Sequence, residues 1–418
     1  MAVECLHAEG AGVRRRRGKL VLAIVLVLLA LLLRTDTRLI GPVQALALPY
    51  QFSLEVWEAR NLLEKWLHWP REALPWRRLS AQERRALVRD YFATAREVAW
   101  LQAMAQRGLA PPTAEEARQA RQRLETLQRK MDSLRPRVEE ALEAELSTLL
   151  REEGLVRRMG PLSLLWPPVD IRFDQLPKFL ALSPRDRILL QGGVLLRGDT
   201  PLDAITTLET HIHQRYNLSA LVVDLGGIAT YPSILSPFYS PAQVTEAMAH
   251  EWVHQYLFFF PLGWNYYRDP EVRALNEAVA DLAGKELGAR LMVRLGYAPP
   301  TRHPTPPHAE DFVTQTLRET RRQVEALLAQ GQIEEAEDYM ERQRATLARR
   351  GYYIRKLNQA YFAFYGLYPE HPAAVSPMGE QVRRVREASP SLGAFLRTMA
   401  GFGSYREFSA FYQAQVRP

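Results

Sequence analysis

The pattern of apolar and polar positions divides the chain into distinct textures. Residues Leu20 to Leu33 read LVLAIVLVLLALLL, an unbroken apolar run bracketed by Lys19 and Arg34. Over 80–107 and 113–153, apolar residues recur among Glu, Arg and Ala at the spacing of helices with one buried stripe. Leu124, Leu127, Met131 and Leu134 lie on that stripe, and Pro136 is expected to kink or split the second helix. From about 161 the pattern changes to short runs rich in β-branched residues: PPVDIRF, FLALS, RILLQGGVLL and SALVVDLGG. Pro, Gly and Asp separate them, which predicts three or four strands with a helix near 202–216. After 240 the helical texture returns and persists, and no internal repeat is present.

The apolar run is the first feature with a functional meaning. Its fourteen residues would rise about 21 Å as a helix, short of the ~30 Å hydrocarbon core. Snorkelling of Lys19 and Arg34 can extend the span. A cleaved signal peptide has an apolar region of the same length. The triplet Ala45-Leu46-Ala47 resembles a cleavage site, but it lies well past the run with Arg34 and Arg38 between. The expectation is therefore an uncleaved transmembrane signal anchor over 19–34. The basic tail 1–18 would stay in the cytoplasm and the rest of the chain outside it.

Charge changes the picture little. The net charge is +7, and Arg14, Arg15, Arg16, Arg17 and Lys19 supply five of the positive charges beside the apolar run. Elsewhere both signs are interspersed, as on solvated helices, and no nucleic-acid module is recognisable. No nucleic-acid partner is expected. The single cysteine, Cys5, excludes an intramolecular disulfide and any Cys-based metal site. Trp57, Trp66, Trp69 and Trp76 punctuate 48–80. They read as the packed face of an amphipathic helix, with a bilayer-resting segment as the alternative.

The stretch SPAQVTEAMAHEWVHQYLFFFP carries the chemistry. Ser240 is a natural N-cap, Pro241 suits the first helical position and Gln243 completes a capping box. Within the helix stands HEWVH. His250 and His254 are four apart, so both imidazoles leave one face and can grip one ion. Glu251, one residue on, can reach water at the ion without being forced to ligate. A catalytic zinc needs a third protein ligand. DPEVRALNEAVADLAGKELG offers one on a second helix capped by Asp269. Glu277 can ligate, and Asp281, four residues on, can accept the second N–H of a ligating histidine.

HExxH followed by NExxxD resembles the thermolysin-like gluzincins, through His250, Glu251, His254, Asn276, Glu277 and Asp281. The resemblance covers about 240–296. It implies zinc held by His250, His254 and Glu277, with Glu251 as general base and Asp281 orienting a ligand. The expected fold is α+β and predominantly helical, with a small β-sheet packed on a zincin-type catalytic domain over 161–418. Within that domain 161–239 is the sheet region and 240–418 the helical region. An N-terminal transmembrane helix and a helical stalk or hairpin over 35–160 would precede it.

The expected function is a membrane-anchored zinc metallopeptidase acting outside the cytoplasm on peptides or proteins. An endopeptidase is favoured, because 224–232, DLGGIATYP, lacks the pattern that captures a free amine. That segment is the candidate substrate edge. Gluzincins usually supply Tyr or His to the oxyanion, and here Tyr361 is the candidate, with Asn358, Tyr365 and His371 behind it. His211 and His213 do not share a helix face, and His303 and His308 lie in a Pro-rich loop. Two other readings stand: an envelope protein with structural zinc and partner-binding helices, and a zinc hydrolase of a non-peptide amide. A structural site should be closed by a fourth protein ligand, and none stands at a suitable spacing.

Overall fold

A computed structural model describes residues 41–61, 79–106, 113–159, 162–298, 307–368 and 371–416. The expected basic tail and membrane anchor, Trp66, Trp69, Trp76 and His303 lie outside the described residues. Among the described residues no helix is long and apolar enough to cross a membrane. The fold is predominantly helical with small sheets, in line with the α+β expectation.

A short helix, α1 (Pro42–Ala47), opens the described chain, and α2 (Ala81–Gln106) and α3 (Ala114–Glu152) follow, folded back on each other. Thr113 and Glu116 form a capping box that starts α3. Of the kink or split expected at Pro136 the split is absent, and α3 runs through the proline as one helix. Proline removes a single N–H bond there, while Met131, Val138, Leu142 and Leu146 bury the stripe on both sides of it. The pair does not stand apart. Val88, Tyr91, Leu142 and Leu146 share one core with Trp252, Leu275 and Leu287 of the motif-bearing helices.

The 161–239 region holds more strands than its pattern announces, arranged in small sheets. β1 (Val156–Met159) and β2 (Leu162–Leu165) form an antiparallel hairpin. β3 (Ile171–Phe173) runs parallel to β7 (Ser233–Leu235). The remaining sheet has the order β5-β4-β6: β4 (Lys178–Pro184) lies between β5 (Gly192–Leu196) and β6 (Leu218–Asp224), antiparallel to both. α4 (Leu202–Tyr216) precedes β6.

β6 is an edge strand, yet side chains occupy its outer backbone groups. Val222 N–H donates to Glu209 Oε1 at 2.7 Å, and Arg355 Nη2 donates to Val222 O at 3.0 Å. Asn358 Nδ2 donates to Ala220 O at 3.0 Å. Glu209 is itself buried and paired with Arg355 at 2.6 Å, so its charge is compensated.

Two helices position the motifs: α5 (Pro241–Leu257) and, after the single turn α6 (Pro261–Trp264), α7 (Pro270–Arg294). Ser240 with Gln243 caps α5 through a capping box, and Asp269 caps α7 by accepting from Glu271 N and Val272 N. Each cap contributes about 1 kcal/mol. Gly284 and Gly288 let the helices touch. A Cβ on Gly288 would meet Glu246 Cα at 2.7 Å, and one on Gly284 would meet His250 Cβ at 3.0 Å. Helices α8 (Pro307–Ala329), α9 (Ile333–Arg349) and α10 (Gln359–Tyr365) share a core with β4 and β6. α11 (Met378–Ala388), α12 (Leu392–Ala400) and α13 (Tyr405–Gln415) pack into the core around α7.

Candidate metal centre

His250 and His254 project from α5 towards Glu277 on α7, the juxtaposition that the helical spacing predicts. One ligand atom from each lies within 4.8 Å of the others, so the group could hold a metal ion. Glu277 Oε2 stands 3.6 Å from His250 Nε2 and 3.4 Å from His254 Nε2, and the two Nε2 atoms are 2.9 Å apart. The side chains of His250, His254 and Glu277 are 16%, 13% and 4% exposed.

Neighbouring hydrogen bonds fix what these atoms can do. Asn276 Nδ2 donates to Leu262 O at 3.2 Å, which leaves Asn276 Oδ1 as an acceptor. His254 Nδ1, 2.7 Å from that oxygen, must then carry its proton, and Nε2 is a lone pair. His250 Nδ1 lies 3.2 Å from Asp281 Oδ1, the partner expected from the sequence, which leaves its Nε2 turned to the same point. Tyr266 OH donates to Glu277 Oε1 at 2.5 Å. Glu277 Oε2 is buried without a hydrogen-bond partner.

Three acceptor atoms therefore face one point. Leaving such a group uncompensated costs several kcal/mol, and a cation removes that cost. The convergence acts on a proton too. Burial disfavours the charged imidazole of His250, yet the carboxylates of Asp281, Glu277 and Glu251 around it outweigh burial and hold its pKa well above the usual histidine value. Burial would raise Glu277, but His254 and His250 prevail and hold its carboxyl well below the usual range. A proton satisfies one lone pair, whereas a divalent cation satisfies all three. Two imidazoles and a carboxylate are the donor set of catalytic zinc sites.

Glu251 is buried beside this point. Burial raises its pKa, and Glu277 and Asp281 add to the rise against the opposing pull of His250 and His254. That moves a carboxylate towards the range useful to a general base. The glycine pair Gly226-Gly227, in the segment read as the substrate edge, lies against it: a Cβ on Gly227 would stand 2.4 Å from Glu251 Oε1.

The expected tyrosine is not the one nearest these carboxylates. Tyr361 is buried in the α8–α10 core, and burial with neighbouring Tyr365 accounts for its raised pKa. Asn358 caps α10 through Tyr361 N and holds β6. Tyr368, three residues beyond α10, feels the site. Its pKa is raised well above the usual value by burial and then by Glu277, Glu251 and Asp281. Its phenol keeps its proton and remains a donor. His211 and His213, which do not share a helix face, are both exposed on α4.

Tyr266, Tyr368, Gly227 and the role of Asn276 were not foreseen. Asn276 carried a signal, as the residue before Glu277 in NExxxD. The others act through chain crossings that no local spacing encodes. Compared with known proteins, the chain matches no family model, no curated protein and no solved structure.

Proposed function

We propose that the chain is a zinc metallopeptidase, anchored by its N-terminal apolar run and acting outside the cytoplasm. One observation carries the reading: His250 Nε2, His254 Nε2 and the unpartnered Glu277 Oε2 converge within 4.8 Å of one another, with buried Glu251 at their side. A zinc ion held there would supply Lewis acidity, polarising a carbonyl and making water easier to deprotonate.

The residues of the chain supply the remaining steps. Asp281 and Asn276 hold the two imidazoles in the tautomers that present Nε2. Tyr266 engages one oxygen of Glu277 and leaves the other for the ion. Glu251 accepts the proton of the attacking water and returns it to the departing nitrogen. Tyr368 donates to the oxygen on which negative charge develops. Among the described residues no fourth ligand joins His250, His254 and Glu277, which supports catalysis over a structural site. The same arrangement suits a non-peptide amide, which substrate profiling would separate.

The test compares the full chain with Glu251→Gln for metal content and hydrolysis of quenched-fluorescent peptides. The expected result is equal zinc in both and hydrolysis reduced by about 10²–10⁴-fold in the variant. Wild-type protein that takes up no zinc would overturn the reading.

A further inference from the structure

The largest aromatic exposure on the described surface gathers around the link that follows the metal helix. Four of the thirteen exposed large apolar side chains stand there: Trp166, Phe258, Trp264 and Tyr267. Phe258, Trp264 and Tyr267 are 64%, 61% and 84% exposed. Some of these rings are joined through their neighbours. Trp166 packs on Phe259 at 5.7 Å and Phe259 on Phe258 at 5.4 Å. Helix α6 presses against Phe258, since a Cβ on Gly263 would stand 2.5 Å from Phe258 Cα. Tyr267 stacks edge-on to Tyr266 at 4.8 Å, and the Arg273 guanidinium lies over both rings at 5.3 and 5.9 Å.

Next to these rings is a cavity of about 350 Å³ between the β1–β2 hairpin, the end of α5 and α12. Arg157 and Arg397 line it together with Trp166, Tyr256, Phe259 and Phe260, and no carboxylate is among its lining residues. Two guanidinium groups over aromatic walls suit an anion that carries an apolar portion. Exposed Trp and Tyr beside Arg are the composition of surfaces that sit at headgroup depth.

The sequence supplies the reason for a bilayer as occupant. Seven peptide steps separate Arg34, which ends the apolar run, from Gly41, where the described chain begins. At ~3.5 Å each they reach at most about 25 Å. A body tethered that closely to an anchor must turn one face to the membrane. We infer that the face is the Trp166–Phe258–Trp264–Tyr267 strip, resting on an anionic bilayer, and that the Arg157–Arg397 cavity receives a phospholipid headgroup phosphate. The metal centre is then held at the bilayer surface, because Tyr266, next to Tyr267, bonds Glu277. The inference rests on the proposed N-terminal anchor and not on the chemistry proposed for that centre.

The test uses the full chain in liposomes with Cys5→Ser and one new cysteine carrying bimane. The probe is placed either at Phe258→Cys on the strip or at Gln332→Cys, an exposed position before α9. Brominated lipids in vesicles containing phosphatidylglycerol should quench the probe at 258 several-fold more than the probe at 332. The difference should shrink in purely zwitterionic vesicles and in the background of Arg157→Glu with Arg397→Glu. If the double variant fails to fold, the lipid series on the single-cysteine proteins still decides. Equal quenching at both positions, or quenching at 258 indifferent to lipid charge, would overturn the inference. So would a blue-shifted 258 probe in dilute detergent without lipid, which would show the strip covered by another part of the chain or a second copy.

Discussion

Gly227 and Glu251 are in contact, and no side chain fits between them: a Cβ at 227 would stand 2.4 Å from Oε1 of the buried carboxylate. The backbone that follows β6 thus sets the position of the residue proposed to move the proton. Gly227→Ala should displace Glu251 while leaving the three ligand atoms in place. The expected outcome is about a 10²-fold loss in kcat/KM with undiminished zinc content. Parallel losses of zinc and activity would show instead that the whole site had collapsed.

Tyr266 holds one oxygen of Glu277 and so favours binding of the ion through the other alone. Tyr266→Phe frees Oε1, and the carboxylate can turn to offer both oxygens. Zinc affinity should fall roughly 10- to 100-fold, the usual effect of losing a group that orients a ligand. The visible spectrum of the cobalt-substituted protein should weaken as the coordination number rises. An unchanged affinity and spectrum would show that the hydrogen bond has no influence on the site.

The crossing of α5 and α7 tolerates no added bulk at Gly288. Gly288→Ala places a methyl 2.7 Å from Glu246 Cα, so the helices must separate or bend. Overpacking of this kind costs about 1–3 kcal/mol. Thermal unfolding should move to lower temperature, and zinc should protect the variant less than the wild type. An unaltered melting temperature would mean that the crossing is slack.

His371 gives the fold a pH dependence of its own. Burial lowers its pKa to about 4, while stacking on Tyr365 at 4.5 Å and a bond from Ala373 N at 3.0 Å hold the ring in place. The neutral ring is favoured in the folded state. Its stabilising contribution is complete above the unfolded value of ~6.5 and is lost as the pH falls towards 4. The melting temperature should decline over that interval, and less steeply in His371→Gln. Identical slopes would assign the acid sensitivity to other groups.

Much of this was legible because the signals are local. The two long N-terminal helices, the helix over 202–216 and both motif helices follow from periodicity and from the caps Ser240 and Asp269. The convergence of His250, His254 and Glu277 follows from a spacing of four on one helix and a capped partner helix behind it. Pro136 misled because local propensity was opposed by burial on both of its flanks. β7 escaped notice because three residues make too short a pattern. Tyr368 escaped because its exposure to the charges of Glu277 and Glu251 depends on how the chain turns after α10, while Tyr361 is spent on packing.

The side-chain seal along β6 has a practical consequence. A hydrolase with an open strand edge can lengthen its sheet with the backbone of almost any extended chain, and so reads many sequences indifferently. Here Glu209, Arg355 and Asn358 already fill the outer positions at Ala220 and Val222. Purchase on a visiting chain along this side would begin where the chain after β6 leads through Gly227 to Glu251. Selectivity would then depend on the residues next to the bond that is cut, and a library of short peptides should reveal it as fully as a long one.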